Sequence, residues 1–62
     1  MNEQLVEKYD VLRTLVESLQ KDLIKNSQGN KSAGVRIRKG LRECKKIASE
    51  LVKDSLSADK DG

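Results

Sequence analysis

Lys31, Arg36, Arg38, Lys39, Arg42, Lys45 and Lys46 crowd seven cations into residues 31–46, and Glu43 is the only acid among them. That block nets +6, although the whole 62-residue chain nets only +3. Residues 1–30 net −1 and residues 47–62 net −2. Charge concentrated in this way says what a protein meets rather than how it folds, so an anionic partner is expected: nucleic acid, anionic lipid or an acidic protein. Arg36, Arg38 and Arg42 offer planar guanidinium forks, which fit phosphate more closely than a lysine point charge does. Arg38 and Arg42 stand four residues apart, a like-charge spacing that destabilises a helix by a few tenths of a kcal/mol. A ligand that neutralises them is the natural compensation. Charge runs are ordinarily solvated helix faces. Here the scarcity of acids, the arginines and the acidic flanks favour anion binding.

Other chemistry lacks its parts. The chain has no histidine and a single cysteine, Cys44. Neither a disulfide nor a metal site can be assembled from these, and a nucleophile paired with a base is missing. No enzyme activity, cofactor, metal or small-molecule substrate is therefore expected. Glu43 and Glu50 read as solubilising charges, and Cys44 as a small buried hydrophobe. Tyr9 is the only aromatic residue, which excludes an aromatic platform for single-stranded nucleic acid. A stripe of Lys and Arg points to the phosphate backbone rather than to base edges. No apolar run approaches the ~20 residues that span a bilayer, and no signal peptide is evident. Surface binding to anionic membrane is not expected either, because the chain has no Trp or Phe to bring to the interface, and the location implied is cytoplasmic and nucleoid-associated.

The basic block needs a helix to become a face. Leu5, Tyr9, Leu12, Val16, Leu19 and Leu23 recur at spacings of 4, 3, 4, 3, 4, an a/d seam that predicts helix 1 at about residues 3–26. Asn2 is its expected cap, and Glu17–Lys21 a favourable i,i+4 pair. Ile37, Leu41, Cys44, Ala48 and Leu51 form a second seam, predicting helix 2 at about residues 31–56. Residues 27–30 form the turn, with Gly29 at positive φ and Asn30 or Ser32 capping helix 2. Gly34 and Gly40 suggest close approach, to helix 1 or to a phosphate. Residues 57–62 are expected to be a disordered tail. The fold class is all-α, an antiparallel two-helix hairpin. So short a chain buries little, and one hairpin leaves apolar surface uncovered, so a homodimer with a four-helix arrangement is expected.

The run Gly29-Asn30-Lys31-Ser32-Ala33-Gly34-Val35-Arg36-Ile37-Arg38-Lys39-Gly40-Leu41 resembles the core motif of the bacterial linker-histone-like nucleoid proteins, the chlamydial-type histone family. Residues 15–23 before it and 45–50 after it extend the similarity, which covers about residues 10–56. The resemblance implies DNA binding and nucleoid compaction, with Lys31, Arg36, Arg38 and Lys39 as motif-matched contacts. Long members carry a lysine-rich C-terminal tail, whereas residues 57–62 here are acidic, so binding is expected to fall to the helical module. The function expected is non-specific binding of duplex DNA through phosphates on the basic face of helix 2. The alternative is a helical adaptor that docks an acidic protein.

Overall fold

A computed structural model describes residues 3–61, and all three regular elements are helices: α1 (Glu3–Ser18), α2 (Gln20–Ser27) and α3 (Lys31–Asp61). The first two lie end to end and fold back along the third. The result is an antiparallel hairpin whose Cα atoms span 47 × 15 × 11 Å.

The turn follows from local chemistry. Gly29 has φ 94°, which a side chain would make costly. Its N–H donates to the Asn26 carbonyl at 2.9 Å, and the Asn30 N–H reaches the Lys25 carbonyl at 3.1 Å. These two bonds are a Schellman closure of α2. Asn30, not Ser32, then caps α3: its side-chain oxygen accepts the Ala33 N–H at 2.9 Å. The Asn2 cap expected for α1 lies outside the described residues.

The predicted first helix is divided at Leu19. There the Leu19 N–H turns to the Val16 carbonyl at 3.2 Å, an i→i+3 bond of 3₁₀ type. The Ser18 hydroxyl donates back to the Leu15 carbonyl at 2.6 Å, a side-chain bond that bends helices. The division falls between Glu17 and Lys21, and that expected pair is not among the ion pairs of the described residues; Arg13–Asp10, at 3.2 Å, is the intrahelical pair of α1. At its other end the fold outruns expectation. α3 continues through residues 57–61, which contain no glycine or proline and place Lys60 favourably in the last turn.

The seam between the arms is rotated from the expected one. On α1 and α2 the partly buried positions are Leu5, Lys8, Leu12, Leu15, Leu19, Asp22 and Asn26, spaced alternately 3 and 4. On α3 the buried or partly buried positions are Ala33, Ile37, Gly40, Cys44, Ile47, Leu51, Asp54 and Ala58, spaced 4 and 3, with Gly34 and Glu50 beside them. Of the expected seam residues, Ile37 and Cys44 are buried, and Leu5, Leu12, Leu19 and Leu51 are half-buried. Tyr9, Val16, Leu23, Leu41 and Ala48 are exposed in the single chain. The apolar stripe of each arm is wider than one neighbour can cover, and small residues choose which part is covered. A Cβ on Gly40 would collide with Leu19 Cδ2 and lie 3.0 Å from Cδ1, and one on Gly34 would lie 2.6 Å from Asn26 Nδ2. Both glycines therefore serve helix packing.

Candidate nucleic-acid interface

All seven candidate cations are exposed, but they do not share one face. At 100° per residue, and measured from the observed seam, Arg38 and Lys45 lie about 115–135° to one side. Lys31 and Arg42 face outward, whereas Lys39 and Lys46 lie about 125–145° to the other side, where Lys39 borders a groove with Arg36 and Glu43. In direction, Lys53 falls between Arg42 and Lys46. Because the seam is rotated, Lys31 and Arg42 point farther from the hairpin than the sequence spacing suggested.

Arg36 stands on the opposite flank and is already engaged. Its Nε donates to both oxygens of Asp22 at 3.2 Å, and its Nη2 donates to Oδ1 at 3.0 Å. This two-pronged contact ties α3 to α2. The hydrogen bonds from Arg36 hold the Asp22 carboxyl below its ordinary value, with the guanidinium charge adding to the effect. The same hydrogen bonds raise Arg36 above its ordinary value. By contrast, Lys31, Arg38, Lys39, Arg42, Lys45 and Lys46 make no side-chain hydrogen bond or ion pair within the described residues.

A second clasp closes the open end. Lys8 Nζ lies 2.6 Å from Asp54 Oδ2 and 3.7 Å from Glu50 Oε2. The hydrogen bond to Asp54 raises the Lys8 ammonium above its ordinary value, and the charges of Asp54 and Glu50 add to it. Glu50, expected to be only solubilising, thus faces α1. Neither clasp shows in helical spacing, because its partners are 46 and 14 residues apart. The signal that could have found one is the fold-back itself: Asp22 and Arg36 are equidistant from Gly29.

The clasps and Glu43 make one face of the hairpin acidic. Two adjoining open grooves lie there, of about 600 and 470 Å³, sharing Val11 and Ile47 and bordered by the acids Glu7, Asp10, Glu43, Glu50 and Asp54 and the cations Lys8 and Arg13. That side is the more acidic, and the cations without a partner among the described residues lie away from the seam on α3. Among the described residues, no helix is long and apolar enough to cross a membrane.

The sequence pattern of the histone H1-like protein Hc1 family matches residues 6–61. The chain belongs to this family. The match covers nearly the whole hairpin, including both arms, the turn and the cationic segment of α3. No curated protein and no solved structure matches the chain. Within the Hc1-like hairpin, of the contacts expected from the resemblance, Lys31, Arg38 and Lys39 are exposed with no ion-pair partner among the described residues, whereas Arg36 is held by Asp22.

Proposed function

We propose that the protein is a non-enzymatic, nucleoid-associated DNA-binding protein of the cytoplasm that contacts duplex phosphates through the outer side of α3, without reading sequence, and works as a homodimer. The observation that carries this reading is the row Lys31, Arg38, Lys39, Arg42, Lys45 and Lys46, exposed and without a partner among the described residues. Residues 31–46 cover ~22 Å of helix, long enough to follow several phosphates of a duplex that carries one charge per ~1.7 Å. Membership of a histone H1-like family supports the same partner. Arg36, a motif-matched contact by sequence, is assigned instead to holding α2 on α3.

Dimerisation is supported by the poverty of the single-chain core. Ala33, Ile37 and Cys44 are its buried hydrophobic residues, at 0, 3 and 9% exposure. Chains of this size commonly need a second copy to cover enough apolar surface.

A gel-shift titration with random-sequence duplex tests the function. The native protein should shift all sequences alike, and Arg38→Glu/Arg42→Glu should fold but lose the shift. If that double variant bound as well as the native protein, the cationic row would be only a solvated face, and docking of an acidic protein would take its place.

A further inference from the structure

Tyr9, Val16 and Leu23 follow the seam residues Leu5, Leu12 and Leu19 by four positions, and Leu41 and Ala48 follow Ile37 and Cys44 by four. Each set is therefore turned ~40° in the same rotational sense from its seam. On antiparallel helices, equal rotations of that sense arrive on the same face of the pair. Val52 joins them. Tyr9, Val16, Leu23, Leu41 and Val52 are 51–61% exposed. They form an apolar face opposite the acidic one, fringed on its α3 side by Arg38 and Lys45.

The hairpin is 47 Å long and 15 Å wide, so its whole side projects about 700 Å², and the apolar residues from Tyr9 to Leu23 run along ~21 Å of that length. Specific interfaces bury ~800 Å² per partner. A second copy of the same face matches it in length and in chemistry. Two-fold stacking leaves two choices: α3 lies over the other copy's α3, or over its α1 and α2.

Charge separates them. α3 nets +4, from nine cations and five acids, whereas the arm made by α1 and α2 nets −1, from four cations and five acids. Stacking α3 on α3 needs a two-fold axis across the helices, which at full overlap sets Lys45 beside its own counterpart, a like-charge juxtaposition that interfaces avoid. Stacking α3 on α1 sets it beside the acidic arm.

We propose that two copies join through this apolar face with α3 of each over α1 and α2 of the other, and that the dimer thereby bridges two duplexes. The two-fold axis then runs parallel to the helices. Heights along the hairpin are preserved, so Val52 meets the second copy's Tyr9, Ala48 comes nearest its Val16, and Leu41, level with Leu19, falls between its Val16 and Leu23. The two α3 helices occupy opposite corners of the four-helix unit, and their cationic rows face away from each other. The alternative stacking would join both rows into one surface that serves a single duplex. The bridging step rests on the phosphate-binding reading above, whereas the stacking can be tested without DNA.

Two measurements decide it. In a Cys44→Ala background, Tyr9→Cys and Val52→Cys chains are mixed and oxidised. A disulfide-linked heterodimer should form from the mixture and from neither chain alone, since a disulfide needs Cα atoms within ~7 Å. Homodimeric cross-links from Leu41→Cys, Ala48→Cys or Val52→Cys alone would overturn the stacking, as would a native protein that sediments as a monomer at micromolar concentration. With the unmodified chain, a bead-bound random duplex should capture a second, fluorescent duplex. Capture should rise with protein and fall again in excess, as each duplex fills with its own dimers. A gel shift of single duplex without capture at any protein ratio would overturn bridging. Absence of the gel shift itself would instead reject the phosphate-binding reading and leave the cross-links to judge the stacking.

Discussion

The two flanks of α3 use charge in opposite ways. On the acidic flank, Arg36 binds Asp22 and the pair Glu50 and Asp54 takes Lys8, so charges there are spent on holding the hairpin closed. On the outer flank six cations stand without a partner among the described residues, although acids of α1 and of the other flank lie on the same small molecule. Cations near acids in a 62-residue chain would gain by pairing. Their separation by half a helix turn points to an outside ligand for one flank and an internal one for the other. It also divides a family motif: Arg36 and Arg38 are two residues apart, yet fall on opposite sides.

The sharpest way to break this contrast is to reverse the outer charges. Arg38→Glu/Arg42→Glu should weaken duplex binding on the order of 100-fold, taking ~1.5 kcal/mol for each charged contact. Circular dichroism should show unchanged helicity, because both side chains point into solvent. Loss of helicity together with binding would mean that the outer flank is structural.

The seam that keeps the flanks apart is tested by Gly40→Val. Its side chain would drive into Leu19, and overpacking of this kind costs ~1–3 kcal/mol. Chemical denaturation should show the loss. Stability equal to the native protein's would mean that Leu19 does not sit over Gly40.

A pair of single substitutions sharpens the comparison further. Arg38→Ala should weaken binding about tenfold while leaving the thermal midpoint in place. Arg36→Ala should do the converse, lowering the midpoint with less than a twofold change in binding, again read against the charged-contact scale. Equal losses of binding would return Arg36 to the interface.

These contrasts were only partly legible beforehand. The hairpin, its turn and its cap were readable because Gly29 and Asn30 act on their own neighbourhood. The all-helical class followed from apolar spacing. The phase of the seam did not, because Tyr9, Val16, Leu23, Leu41 and Ala48 continue an apolar stripe that a single neighbour cannot cover. Spacing cannot say which part of such a stripe packs within the chain. The division at Leu19 depends on the Ser18 hydroxyl choosing a backbone carbonyl, which propensity does not reveal. The role of Arg36 depends on an acid brought near only by folding back. The exposure of the other six cations was legible, since lysine and arginine leave an apolar seam wherever it runs.

The smallest effect is one of pH. Arg36 lowers the Asp22 carboxyl in the folded chain, so the clasp contributes stability above the ordinary carboxylate range. That contribution should be lost as pH falls through the lowered value of Asp22. Asp22→Asn should flatten this part of the acid denaturation curve. An unchanged curve would mean that the clasp does not stabilise the hairpin.

The most direct test of the outer flank is the salt dependence of duplex affinity. If three or four cations of one row neutralise ~3–4 phosphates of each duplex, log K should fall against log salt with a slope of about −3 to −4, whereas both rows on one duplex would give about −5 to −7. Arg38→Ala should make the slope shallower by about one for each phosphate that the complex no longer neutralises, and Arg36→Ala should leave it unchanged. A slope near zero, or one that Arg36→Ala alone reduces, would contradict the assignment of phosphate binding to the outer face of α3.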